Sequence, residues 1–175
     1  MDSQRFVFDD VTALTAVAVG QPGQRKFYIV VGQVDAWVRF WLEKEELNSL
    51  SAAFSELIET VADSGLQPPL TKDDRAPAIL FEPPYAPTAN FKSIRLAVGY
   101  DQSLDRIAMF VNGPEASDDA PTLVCWLTRI QARTLGDRIN LVCGAGRTAC
   151  ILCGAPIDPE GHICPRSNGH GPKEL

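Results

Sequence analysis

The chain has 175 residues, 45% of them hydrophobic and 22% charged, which is enough for one core of ordinary size plus a small appendage. Its formal charge of −6 argues against a general nucleic-acid binder, which needs a basic surface to neutralise phosphates. No apolar stretch reaches the length of a membrane span, and Met1 to Phe6 carry no basic region followed by an apolar run. The sequence therefore reads as that of a cytosolic protein whose five cysteines stay reduced.

Short extended segments come first, at Arg5–Phe8 and Thr15–Val19. A turn over Gly20-Gln21-Pro22-Gly23 leads into Lys26–Val31, and a second turn near residues 32–35 leads into Trp37–Leu42. These runs are rich in Val, Phe, Tyr and Trp and are punctuated by Gly and Pro, the pattern of antiparallel strands. Gly20 and Gly23 lack the Lys-Ser/Thr pair and the strand-to-helix setting of a phosphate loop, so they read as a hairpin turn. Glu43 to Ser64 reads as a helix. Leu47, Leu50, Phe54, Leu57, Ile58 and Val61 recur at three- and four-residue steps, acidic residues occupy the first turn, and Gly65 supplies the stop.

Residues 66–90 change character and hold six of the thirteen prolines, which interrupt regular structure apart from a short candidate strand at 78–81. Pro83-Pro84-Tyr85 has the form of a peptide recognised by an aromatic groove, but the plainer reading is a stiff connection packed over the sheet. The second half repeats the grammar of the first. Strands are expected at Ser93–Tyr100, Arg106–Val111 and Thr122–Leu127, with a hairpin turn over residues 101–105 and an acidic loop over 112–120. A helix follows from Arg129 to Val142, with Thr128 as N-cap, Gln131 completing a capping box, and Ala132, Leu135, Ile139 and Val142 as its buried stripe. Trp41-Leu42-Glu43-Lys44 aligns with Trp126-Leu127-Thr128-Arg129. This invites the reading of an internal duplication, against which stands coincidence between two ordinary strand-to-helix junctions. The expected architecture is α+β. Antiparallel sheet packs with two main helices over residues 1–146, in halves 1–65 and 78–146, and a small cysteine- and histidine-bearing tail spans 147–175. Trp37, Trp41 and Trp126 are expected to fill the core between sheet and helices.

The last twenty-six residues hold both histidines and three of the five cysteines. Cys150-x-x-Cys153-Gly has the form of a zinc knuckle, in which two thiolates grip one ion from a tight turn whose amides point at the sulfurs. Cys164 is the third ligand by elimination. The residues leave the fourth open between His162, one residue apart from Cys164, and His170, six residues beyond it. A thiol-exchange pair would want its first Cys at a helix N-terminus, whereas here a helix ends just before it. A catalytic zinc would want an open coordination position and a nearby base. Structural Zn2+ is the reading that the ligand types and spacing favour. Cys125 and Cys143 read as small buried apolar residues.

Gly20-Gln-Pro-Gly-Gln-Arg25-Lys-Phe-Tyr28, Leu42-Glu-Lys-Glu45, Leu96-Ala-Val-Gly-Tyr100-Asp101, Leu127-Thr128-x-x-Gln131-Ala132 and the run from Cys150 through Cys164-Pro-Arg-x-Asn-Gly resemble an uncharacterised, mainly actinobacterial family, domain-of-unknown-function family 3090. The resemblance covers nearly the whole chain. It implies a cytosolic bacterial protein with a carboxy-terminal zinc-ribbon-like element. Relatives end Asn-Gly-Tyr where this chain has Asn168-Gly169-His170, which favours His162 as the fourth ligand. Gene neighbourhoods shared with a histidine-phosphatase-like protein and a kinase-like protein imply a common pathway.

With both histidines in the tail, the body has no His-based triad or acid-base pair. The acidic pairs Asp9-Asp10, Asp73-Asp74 and Asp118-Asp119 sit in polar loops, and solvated loops explain them better than a catalytic pair, which needs burial. The leading reading is a non-enzymatic binding or adaptor protein with a protein partner and no membrane partner. The alternative is an enzyme or small-molecule binder acting on phosphorylated substrates through Arg25, Lys26, Lys92 and Arg95. Nucleic-acid binding through the zinc ribbon is a third reading, with the charge balance against it.

Overall fold

A computed structural model of the chain describes residues 5–33, 35–65, 82–116, 120–146, 150–153, 157 and 162–166. Strands β1 (Phe6–Phe8), β2 (Ala13–Val19), β3 (Lys26–Gly32) and β4 (Trp37–Leu42) lead into helix α1 (Lys44–Asp63). Strands β5 (Ala89–Lys92), β6 (Arg95–Asp101), β7 (Arg106–Asn112) and β8 (Leu123–Leu127) then lead into helix α2 (Arg129–Gly144). Among the described residues each half is thus four strands followed by a helix. The aligned Trp-Leu pairs fall at equivalent places: Leu42 and Leu127 end their strands, Glu43 and Thr128 are N-caps, and Lys44 and Arg129 open the helices. Both caps close reciprocally with the residue three positions on, Glu46 in one half and Gln131 in the other.

The two halves form two mixed four-stranded sheets, ordered β1-β8-β7-β6 and β2-β3-β4-β5. The first strand of each half crosses to the sheet of the other. β1 lies parallel to β8 with Phe6 opposite Leu123, and β5 lies parallel to β4 with Val38 opposite Ala89. The remaining pairings are antiparallel hairpins, as the turn-punctuated sequence led one to expect. Strand β5 begins at the end of the proline-rich connection, and the expected strand at 78–81 lies outside the described residues. The β2–β3 turn has positive φ at Gly20 and Gly23, as a hairpin requires. At the end of β3, Gly32 takes φ 151°, and a Cβ there would meet Trp37 Cα at 2.5 Å, so only glycine fits.

One continuous core joins the inner faces of both sheets to the buried stripes of both helices. Phe27, Ile29 and Val31 of β3 face the same interior as Val38, Phe40 and Leu42 of β4, and in the other sheet Ile107, Met109 and Val111 of β7 do so with Leu123, Cys125 and Leu127 of β8. Leu47, Leu50, Phe54, Ile58 and Val61 of α1 are buried, as are Ala132, Leu135, Ile139 and Val142 of α2. The helices meet where Ser51 Oγ donates to the Gly136 carbonyl at 3.1 Å.

The tryptophans depart from expectation. None belongs to the cluster between sheets and helices. Alternation along β4 puts Trp37, Arg39 and Trp41 on the face opposite Val38, Phe40 and Leu42, and Trp126 stands opposite Cys125 and Leu127. Trp37 is buried on that outer face, while Trp41 and Trp126 are half-buried. The described end of the connection reaches this face: Glu82 pairs with Arg39 at 3.0 Å, Pro83 is buried, and Thr88 N–H donates to the Trp37 carbonyl. No helix among the described residues is long and apolar enough to cross a membrane.

Candidate metal centre

Two short loops past the end of α2, residues 150–153 and 162–166, bring four ligand atoms together. The sulfurs of Cys150, Cys153 and Cys164 and a ring nitrogen of His162 all lie within 4.8 Å of one another. Cys150 Sγ and Cys164 Sγ are 3.8 Å apart, and Cys153 Sγ is 3.3 Å from His162 Nε2. A tetrahedron with metal–sulfur bonds of about 2.3 Å has edges of about 3.8 Å, so the sulfur pair already stands at the separation one ion would set. Three thiolates and one imidazole suit a borderline-soft divalent ion with no preference for a planar shell. Four protein donors fill such a shell and leave no position for a substrate.

Local backbone geometry prepares the first loop for charge. The amides of Cys153 and then Leu152 donate to the Cys150 sulfur and lower its pKa from the ordinary 9.0 to about 6. The turn Cys150-Ile151-Leu152-Cys153 curls its amides inward, which is what the Cys-x-x-Cys-Gly pattern implied. The second loop closes on the first through Arg166, whose guanidinium donates to the Leu152 carbonyl at 3.2 Å. Arg166 was visible in the sequence as part of Cys164-Pro-Arg, but nothing in that pattern assigned it a task. Cys150 and Cys164 are buried, whereas the residues beside them point outward: Ile151 is 98% exposed, Ile163 85% and Leu152 40%. Two β-branched apolar side chains next to ligands, in a segment otherwise rich in Gly, Pro and polar residues, were the available signal for that tip.

His170 lies outside the described residues, as do Asp73-Asp74 and Asp118-Asp119. Asp9 and Asp10 are exposed. Cys125 and Cys143 are buried and apart from the cluster of Cys150, Cys153, His162 and Cys164. Burial pushes the Cys125 thiol up to about 12 and raises that of Cys143 as well, so both behave as apolar residues.

The four basic residues that sequence grouped as an anion site do not form one group, although Lys26 and Lys92 share a neighbour. Lys26 and Lys92 lie over the Trp41 ring at 5.9 and 4.8 Å. Arg25 turns to the end of α2 and donates to the Ala145 carbonyl at 2.7 Å, beside a cavity of about 270 Å³ that it lines with Lys44 and Cys143. Arg95 lines a groove between β6 and α1.

The family described as Protein of unknown function (DUF3090) matches residues 6–164, and the chain belongs to it. Comparison with curated proteins and with solved structures gives no match.

Proposed function

We propose that this member of the DUF3090 family holds one structural zinc ion through Cys150, Cys153, His162 and Cys164, and that the closed tail serves a non-catalytic binding or adaptor protein. In this reading residues 147–175 are a zinc-ribbon-like element appended to an α+β body of residues 1–146. The observation that carries it is the close approach of four ligand atoms, all within 4.8 Å of one another, with one sulfur pair at the tetrahedral edge length. Among the described residues of the tail only Cys150 and Cys164 are buried, so in this reading the segment gains its fold from the metal rather than from a core of its own. Its three thiolates require a reducing compartment, such as the cytoplasm.

The exposed tip supports the adaptor role. Ile151, Leu152 and Ile163 are exposed on the two loops, and a patch of exposed apolar side chains is a usual mark of a contact with another protein. The dispersal of Arg25, Lys26, Lys92 and Arg95 takes support away from an enzyme acting on phosphorylated substrates.

Metal analysis of protein purified under reducing conditions is expected to give about one zinc per chain, since one tetrahedral set is present. Cys150→Ser or Cys153→Ser is expected to release it. Protein that carries no metal, or variants that keep a full equivalent, would overturn the zinc reading. Ile151→Ser with Ile163→Ser is expected to keep the metal and to lose a partner that the wild type retains on an affinity resin. Equal retention by both would sink the docking role of the tip and leave the metal site standing.

A further inference from the structure

The β2–β3 hairpin, the start of α1 and the end of α2 meet around the cavity of about 270 Å³. Pro22, Gly23, Arg25 and Phe27 line it from the hairpin, Lys44 from α1, and Cys143 and Gly146 from the end of α2 and just beyond. The volume is below that of a drug-sized site, so it suits a small molecule.

Two of the lining residues are cations that reach the same helix end. Arg25 Nη1 donates to the Ala145 carbonyl at 2.7 Å. That bond leaves the edge formed by Nε and Nη2, two parallel donors of the shape an oxyanion accepts. The Nε of this edge is buried and has no hydrogen-bond partner among the described residues. Buried donors are nearly always paired, by water or a ligand where the chain does not pair them. Lys44 is the first residue of α1, and its ammonium stands 3.9 Å from where a Cβ on Gly146 would lie.

A simpler account is that both cations only neutralise the end of α2. A helix C-terminus carries about half a negative charge, which Arg25 alone more than offsets. The acids at the start of α1 are engaged elsewhere. Glu43 and Glu46 close its capping box, with the Glu43 amide donating to Glu46 at 2.8 Å, and Glu45 lines the groove on the β6 side. The Cys143 thiol in the cavity wall senses the balance. Burial is the first cause of its raised pKa, and of the two charges that act on it the Lys44 ammonium outweighs the Glu45 carboxylate.

We propose that this cavity binds a small molecule through an oxyanion, a carboxylate or phosphate group, held between Arg25 and Lys44, with the rest of the molecule against Phe27 and Pro22. The site is one of binding alone. It joins Arg25 to Lys44, not to Lys26, Lys92 and Arg95, with which the sequence grouped it.

The proposal is independent of the tail. Thermal unfolding of the purified full chain is followed in inorganic phosphate, in succinate and in sodium chloride, at matched pH and ionic strength. Phosphate or succinate is expected to raise the midpoint in a saturable way, with a dissociation constant on the order of 1 mM, and chloride is not. The anion that saturates at the lower concentration identifies the group the site takes. A general salt effect grows without saturating. Lys44→Gln is expected to weaken the apparent binding roughly tenfold or more. Gly146→Leu puts a side chain into the cavity while both cations stay in the chain, and is expected to abolish the saturable rise. A Cβ at position 146 meets nothing closer than 3.6 Å, so the backbone accepts the substitution. If Gly146→Leu fails to fold, Lys44→Gln decides. No saturable rise with either anion overturns the proposal, and so does a rise that Lys44→Gln keeps in full, because the cations then serve the helix end alone.

Discussion

Asp105 sits at the turn between β6 and β7 with φ 50°, a left-handed conformation that L side chains seldom adopt. It is held there by two bonds: Tyr100 Oη donates to Oδ1 at 2.6 Å and Arg129 Nη2 to Oδ2 at 3.0 Å. Both members of the ion pair are nearly buried, with side-chain exposures of 9% for Arg129 and 12% for Asp105. Asp105→Ala would remove the buried partner of a guanidinium and put a Cβ-bearing residue without a polar side chain into the left-handed turn, a loss of about 3 kcal/mol. Chemical denaturation measures it. Asp105→Asn, which tolerates that φ and still accepts from Tyr100, is expected to cost less. Tyr100 also sets a pH dependence. Burial first, then the bond to Asp105, raises its pKa above 10.0, so its contribution to stability is fully present below pH 10 and is lost as pH rises through the elevated value. Tyr100→Phe should flatten that alkaline decline, read as the midpoint of thermal unfolding against pH. The sequence showed residues 101–105 as a polar turn. The long-range pairing with Arg129, 24 positions on, left no local mark, since nothing in a polar turn specifies a distant cation. The clustering of Cys150, Cys153, His162 and Cys164 was legible for the opposite reason: cysteines two apart in a tight turn are a local pattern with one common use.

The elements came through to within a few residues where their signals were local. Apolar stripes at helical spacing gave α1 and α2, and Thr128 with Gln131 gave the start of α2. Thr128→Ala is expected to cost about 1 kcal/mol in thermal or urea unfolding, because its hydroxyl accepts from the Gln131 amide at 3.0 Å. β5 was missed. Its four residues, Ala-Asn-Phe-Lys, follow a proline-rich stretch, and they form a strand because β4 offers them a parallel neighbour and Phe91 stacks on Phe40 at 5.9 Å. The faces of the tryptophans were missed as well, although alternation with Val38, Phe40 and Leu42 already separated them from the core. Trp41 instead carries Lys26 and Lys92 over its ring. The end of α2 is finished by another element. The helix has no basic residue in its last turn, and Arg25 from the β2–β3 hairpin supplies the missing cation. Arg25→Ala is therefore expected to lower stability by about 1 kcal/mol and to increase amide exchange in the last turn of α2.

The strand exchange decides how the whole molecule holds together. The repeated Trp-Leu junction was readable because each copy is a local strand-to-helix step. The exchange itself was not, because β1 finds its neighbour more than a hundred residues away, and a three-residue strand shows no preference among partners. Each sheet contains one strand from the other half, and the core admits no division between them. Neither half can close a four-stranded sheet alone. Half one would lack β5 beside β4, and half two would lack β1 beside β8, leaving central strands with a bare edge and half a core in water. The helices cross over in the same sense: α2 lies along β2 of the first half, and Ser51 of α1 bonds Gly136 of α2. The molecule should behave as one cooperative unit despite its duplicated plan. Fragments 1–65 and 82–175, each made alone, are expected to lack the native circular-dichroism spectrum and the sharp unfolding transition of the full chain. Mixed in equal amounts, they are expected to recover both, because every strand pairing among the described residues and both helices are then present. Two fragments that each fold alone would show that the exchanged strands are dispensable ornaments on independent halves. Fragments that fail even when mixed would show that the covalent link between the halves is needed to overcome the entropy of association.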